Sequence, residues 1–147
     1  HLKDGLLHRA FTIFIFNNQG ELLLQKRSKD KFLWPNYWEA SCSSHPLPGE
    51  RQISAGKRRL KTELGFETKL ENIGSFYYQI NYKDQGAEHE VCALLIGKYD
   101  GLVKPNKKEV ADIKWIKIKD LKKDIKKPNS HYAPWLELAL KLYEKRQ

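Results

Sequence analysis

Residues 50–65 constrain the fold of this chain more than any other stretch. Ile53, Gly56, Leu60 and Leu64 recur at three- or four-residue steps, which predicts a helix over residues 50–64 with one apolar stripe. Gly65 follows at once and is a good helix stop. Just before the helix lies Trp38-Glu39-Ala40-Ser41-Cys42-Ser43-Ser44-His45-Pro46, which reads as an extended segment ending at a proline. Strand alternation predicts Ser41, Ser43 and His45 on one face and Ala40, Cys42 and Ser44 on the other. A hydroxyl, an imidazole and the helical carboxylate of Glu63 are thereby expected in one neighbourhood.

The flanking chain supplies strands. Residues 10–16 are β-branched and aromatic, Asn17-Asn18-Gln19-Gly20 carries turn chemistry, and residues 21–27 read as a second strand, giving a hairpin. Lys26, Arg27, Lys29 and Lys31 make its end basic. This is either solvated charge or a phosphate clamp, for which Arg27 is best suited because its fork binds two oxygens at once. The aromatic loop at residues 32–38 covers core or walls an apolar pocket. Strands are predicted over residues 70–83, 88–96 and 113–118, with a turn at Asp84-Gln85-Gly86. A short charged helix is expected over residues 120–126. A final amphipathic helix follows, with Trp135, Leu138, Ala139 and Leu142 as its buried stripe. Trp135 is either a core aromatic or, at the mouth of a cleft, a π-face for a cation.

At 147 residues with 40% hydrophobic content, one domain with a real core is expected. The net charge of +9 suits a diphosphate or a nucleic acid partner, or a solvated lysine surface. Lys107-Lys108 and the lysines of residues 122–127 lie among acidic residues and read as solvated faces. With two cysteines there is no secreted disulfide framework, and a reduced cytoplasmic protein is the simpler expectation. No run of eighteen apolar residues predicts a membrane span, and no signal peptide is visible. The chain starts at His1 and contains no methionine, so residues 1–147 are expected to be one domain lacking its extreme N-terminus.

Glu88 and Glu90 alternate onto one strand face. Two such carboxylates repel unless a cation lies between them or one is protonated; an exposed acidic strand end is the alternative. Together with His1, His8 and His45 they compose an N/O donor set for one divalent metal such as Mn2+, Zn2+ or Mg2+. His89 alternates away. Arg59 and Glu63 stand at i,i+4, so Glu63 is either half of a surface ion pair or a metal ligand.

These residues and spacings resemble the metal-dependent (type 1) isopentenyl-diphosphate isomerases, a branch of the Nudix superfamily, from His1 to the Pro134-Trp135 pair. In the Nudix hydrolase box a glycine is followed by a glutamate and then by Arg-Glu-apolar-x-Glu-Glu-x-Gly-apolar. Glu50, Arg58, Leu60, Glu63, Gly65 and Phe66 fit it in register. Ser44 stands at the box glycine, and Arg59 and Thr62 stand at two of its glutamates, which disfavours ordinary hydrolysis.

The resemblance implies an α/β fold, a Nudix-type α/β/α sandwich with a mixed sheet. It implies that His1, His8, His45, Glu88 and Glu90 hold one metal, and that Mg2+ bridged to a substrate diphosphate is bound through Glu63. Arg27, Lys31 and Arg59 would hold the diphosphate. Tyr78 would assist proton transfer at Glu90, and Trp135 would shield a carbocation. The family's catalytic cysteine position is filled by Ser43, while Cys42 is one residue off and turned to the other face. A thiol ionises near ~8.5 and a hydroxyl is a far weaker acid. The implied activity is the interconversion of isopentenyl and dimethylallyl diphosphate by metal-dependent protonation and deprotonation, weak or redirected because of Ser43. A Nudix hydrolase of an isoprenoid or nucleoside diphosphate and a non-catalytic diphosphate-binding module are the alternatives. The expected partner is a small isoprenoid diphosphate. Nucleic acid is disfavoured because no aromatic–basic RNA motif is present.

Overall fold

Strand β1 (His8–Phe16) runs through the middle of a seven-stranded mixed sheet, and its apolar run is buried on both faces. The computed structural model describes residues 8–82 and 86–147. β1 pairs in parallel with β6 (Gly86–Lys98), which pairs antiparallel with β5 (Glu71–Tyr82) at one end of the sheet. On its other side β1 meets β2 (Leu22–Arg27) only at Phe16↔Leu22. The two strands then part. β1 takes β4 (Cys42–Ser44) as its partner, whereas β2 takes β3 (Trp38–Glu39) and β7 (Val110–Ile116).

Alternation along β1 feeds two cores. Phe11, Ile13 and Ile15 pack with Ala55, Leu60 and Leu64 of α1 (Gln52–Leu64) on one face. Phe14 and Phe16 pack on the other face with Leu121 of α2 (Ile118–Ile125) and with Leu136, Ala139 and Leu140 of α3 (Pro134–Lys145). This is the expected α/β/α sandwich. Gly56 permits the close approach of α1, since a Cβ there would lie 2.9 Å from Leu95 Cδ1 and 3.0 Å from Leu70 Cδ1. α1 starts two residues later than expected. The Glu50 carboxylate lies outside it, accepting from the Leu47 N–H and from Arg58. The buried stripe of α3 is also rotated from the expected one. Trp135, Leu136, Ala139 and Leu140 are buried, while Leu138 and Leu142 are half-buried.

The expectation of one extended segment over residues 38–46 is corrected. The chain breaks at Ala40 and Ser41 into β3 and β4, which belong to different neighbours. The cause is Ser41. Its hydroxyl accepts from the Ile15 N–H at 2.9 Å and donates to the Leu23 carbonyl at 2.7 Å, bridging β1 and β2 where they part. Ala40 therefore joins the core under α3 and Cys42 the core under α1, instead of sharing a face. Ser41 is buried between strands, and Ser44 joins Ser43 and His45 along one cleft.

Gly65 ends α1 with φ 76°, its N–H bonded to the carbonyls of Leu60 and Lys61. A Cβ there would sit 3.0 Å from the Lys104 carbonyl oxygen, which is backbone and cannot swing away. Gly65→Ala is expected to cost about 1–2 kcal/mol for the left-handed backbone, plus the clash. A lowered urea midpoint at unchanged m-value checks this.

Candidate active site

The splay between β1 and β2 leaves an open face at the N-terminal end of β1. Alternate residues of four adjacent strands point into it: Ser43 from β4, Ala10 and Thr12 from β1, Glu90 and Cys92 from β6, and Tyr78 from β5. Arg27, Lys31, His45 and Trp135 complete the lining of the cleft. Tyr78 and Glu90 are direct cross-strand partners, as are His8 and Glu90.

The floor of the cleft is polar. Thr12 Oγ1 lies 3.1 Å from Ser43 Oγ and 3.2 Å from Cys92 Sγ, so three strands contribute one row of hydroxyl, hydroxyl and thiol. Cys42 is buried in the opposite core, as expected from its turned face, and desolvation pushes its thiol up well beyond the ordinary range. His45 Nε2 lies 2.8 Å from Glu90 Oε1, and Glu90 is only 1% exposed. The His8 and His45 rings meet edge to face with centroids 6.4 Å apart.

His8, His45 and Glu90 are thus the described part of the expected metal set. His1 lies outside the described residues. Glu88 occupies β6 opposite Ile80, and its side chain is outside those described. Among the described residues no group of three or more His, Cys, Asp or Glu side chains is placed to hold an ion. In kind the donors fit: imidazole nitrogens beside a buried carboxylate are ligands for Zn2+ or Mn2+.

The aromatic wall is tied to the basic end. Trp135, 3% exposed, stacks at 24° on Tyr78 and meets Trp34 edge-on with centroids 5.4 Å apart, so it is both a core aromatic and a cleft wall. Its Nε1 donates to Glu39 Oε1 at 3.1 Å. Arg27 donates through Nε and Nη2 to the Leu33 carbonyl, through Nε to that of Trp34, and through Nη1 to Glu39 Oε2. It therefore pins the aromatic loop, in which Trp34 sits at φ 49°, and keeps one further N–H on each terminal nitrogen.

A second charged cluster lies at the α1 side. Glu63, 4% exposed, accepts from Gln25 Nε2 through Oε1 and from Arg59 through Oε2. Burial pushes its carboxyl up, and the Gln25 and Arg59 hydrogen bonds oppose that shift. Arg59 Nη2 also donates to Glu109 Oε1 at 2.6 Å, and Lys31 Nζ stands 3.9 Å from the same oxygen. Of the three expected diphosphate-binding residues, Arg27 and Lys31 line the cleft and Arg59 does not. Thr12, Gln25, Glu39, Cys92 and Glu109 were not anticipated. Two carried a readable signal: Gln25 interrupts an apolar strand, and Glu39 is an acid directly after Trp38 in an otherwise uncharged stretch.

Arg59→Ala and Glu63→Gln are expected to be non-additive, with a coupling of about 1–3 kcal/mol in a double-mutant cycle, because Glu63 is buried and Arg59 half-buried against it. The exposed Lys122–Glu144 pair should couple by less than about 1 kcal/mol in the same denaturation assay. Glu50 is different in kind. Its hydrogen bonds from Arg58 and the Leu47 N–H hold its carboxyl down at about 2, below its ordinary 4.5. The stabilisation is present above pH 4.5 and lost as pH falls towards 2. The Tm difference between wild type and Glu50→Gln should shrink across that window.

A family model described as NUDIX domain matches residues 6–136. Isopentenyl-diphosphate Delta-isomerase 1 of Photorhabdus laumondii is 39% identical over 139 residues, covering 93% of this chain and 79% of its own. The isopentenyl-diphosphate Delta-isomerase of Serratia proteamaculans is 36% identical, with 95% and 78% covered. Among solved structures, a protein of Deinococcus radiodurans superposes with a TM-score of 0.78 at 20% identity over 96% of this chain and 88% of its own. A MutT protein of Methanosarcina mazei gives 0.77 at 15% identity over 99% of each. At those identities the fold alone is shared. Because the Nudix match spans most of the residues and the isomerase relatives align over nearly the whole length, this chain belongs to the Nudix superfamily and, within it, to the isopentenyl-diphosphate Delta-isomerase family.

Proposed function

We propose that this chain interconverts isopentenyl and dimethylallyl diphosphate by protonating one end of an allylic unit and deprotonating the other. The observation that carries this reading is the cleft itself. Ser43 stands on one side, Glu90 and Tyr78 on the other, with Trp135 as an aromatic wall and Arg27 and Lys31 as the cationic end. An isolated alkene is a poor base, so the reaction needs a positioned acid, a positioned base and little water. A proton delivered from the Ser43 side to the terminal methylene carbon forms a C–H bond and leaves a tertiary cation. The Glu90 carboxylate then takes a proton from the adjacent CH2, and that bond's electron pair becomes the new double bond. Tyr78 assists Glu90. Trp135 offers π-density to the cation while keeping nucleophilic water away.

The two remaining N–H groups of Arg27 and the Lys31 ammonium suit the diphosphate. Arg59 would join them on release from Glu63. Membership in this family implies a divalent metal in general terms. We assign Mg2+, with the diphosphate, to Glu63, and a second divalent ion, Mn2+, Zn2+ or Mg2+, to His1, His8, His45, Glu88 and Glu90. Bound there, such ions neutralise phosphate charge and act as Lewis acids. The relay through Ser43 is the weak point, since its hydroxyl is a poorer acid than a thiol. Thr12, between Ser43 and Cys92, is the hydrogen-bond neighbour of that hydroxyl. Residues 1–147 are read as one such domain. Two buried thiols suit a reducing, cytoplasmic setting, and among the described residues no helix is long and apolar enough to cross a membrane.

The test is incubation of metal-loaded protein with isopentenyl diphosphate and Mg2+, following dimethylallyl diphosphate and free phosphate together. Wild type is expected to give isomer slowly, and Ser43→Cys to give it at least about tenfold faster. Ser43→Ala should lose about 10²–10⁴-fold, the usual worth of a general acid. Chelation should abolish turnover, and adding back single metals identifies the ion. Phosphate in place of isomer would support the hydrolase reading. Diphosphate binding without turnover, even in Ser43→Cys, would support the non-catalytic module.

A further inference from the structure

Glu39 lies outside the cleft lining, yet it touches two residues that form it. It sits on β3, opposite Gln25 of β2, and is 2% exposed. Its two oxygens are divided between two elements. Oε2 accepts from Arg27 Nη1 of β2 at 3.0 Å, and Oε1 accepts from Trp135 Nε1 of α3 at 3.1 Å. The backbone around it is fixed in the same two directions. The Arg27 N–H donates to the Tyr37 carbonyl. The Trp38 N–H donates to His131 and the Trp38 carbonyl accepts from Ala133, in the loop that opens α3. Burying a carboxylate is costly unless it is paired and hydrogen-bonded, and both conditions are met here.

We infer that Glu39 is a positioning residue that couples the diphosphate end of the cleft to its aromatic wall. Arg27 does not need Glu39 to be held in place, since the Leu33 and Trp34 carbonyls already take its Nε and Nη2. What Glu39 adds is the link to Trp135. An anionic acceptor on the indole N–H sets the ring's rotation and raises electron density on its face, the property a cation uses. Arg27 has the opposite influence, because its Cζ lies 5.3 Å over the same ring. When phosphate oxygens engage the remaining N–H groups of Arg27, its charge is shared with them. The Glu39 carboxylate then acts more fully on the indole. A ligand at the basic end is thus felt at the aromatic end, and the coupling is reciprocal.

The catalytic consequence rests on the isomerase reading, but the coupling is tested without turnover. The probe is inorganic pyrophosphate with Mg2+, added to protein labelled with 15N at the indole nitrogens. The Trp135 Nε1–H resonance is identified by its absence in Trp135→Phe. In wild type it is expected to move on saturation with pyrophosphate. In Glu39→Gln, whose fold is checked by thermal melting, it is expected to start upfield and to move less than half as far, while the pyrophosphate Kd changes less than about threefold. A wild-type resonance indifferent to pyrophosphate overturns the inference, and that arm needs no variant. So does an unchanged response in Glu39→Gln, or a Kd weakened tenfold or more in step with a lowered Tm, which marks mere support of Arg27. With isopentenyl diphosphate, Glu39→Gln should lose about tenfold in kcat with KM within about threefold. Loss in KM alone contradicts the proposed role. If wild type forms no isomer, the isomerase reading fails while the resonance still decides the coupling.

Discussion

The site depends on one hydroxyl. Ser41 accepts from β1 and donates to β2 at the point where the two strands stop pairing. Without a group to satisfy the Ile15 N–H and the Leu23 carbonyl there, the strands would have to leave both unpaired in the core or continue their ladder, closing the gap into which β4 fits. The splay therefore has a local chemical cause. Its product is a sheet face on which β4, β1, β6 and β5 present alternate residues side by side.

Around that face the buried charges are paired rather than dispersed. Glu39 is divided between Arg27 and Trp135, Glu63 between Gln25 and Arg59, and Glu90 lies against His45. Each acid is nearly excluded from water, so each would be costly alone. Together they sort the cleft. Cationic nitrogen gathers near Arg27 and Lys31, aromatic carbon at Trp135 and Tyr78, and oxygen along the Thr12 row. That suits a ligand with an anionic head and a short apolar tail. The net charge of +9 says less, since most of the lysines contributing to it lie on exposed surface.

What was legible in the sequence was local. The period of residues 50–64 and the glycine after them give α1 and its left-handed end, because both depend only on neighbours a turn away. The alternation that puts Glu90 on its strand face depends only on the next residues, and Tyr78 stands opposite it. The break at Ser41 was not legible, because its cause is a pair of backbone groups 26 and 18 residues away. The rotated stripe of α3 is set by where the α3-side core lies, which only the assembled sheet decides. The family resemblance implied a diphosphate-binding role for Arg59, whereas spacing alone gave only its i,i+4 neighbour Glu63. The Arg59 side chain is held at the α1-side cluster by Glu63, one turn on, and by Glu109, 50 residues on.

The same long-range constraint settles which residue faces the cleft. Cys42 and Ser43 are adjacent, and a one-residue slip of β4 would exchange a hydroxyl for a thiol in the cleft. The slip is blocked on three counts. It would unpair Ser43 from Thr12, pull Cys42 out of its place beside Ile13 in the α1-side core, and drag Ser41 off the two backbone groups it satisfies. The burial that raises the Cys42 thiol pKa reflects the same placement, deep in the core on the wrong side of the sheet. Sheet register therefore fixes that β4 presents the Ser43 hydroxyl, and not the Cys42 thiol, to the cleft.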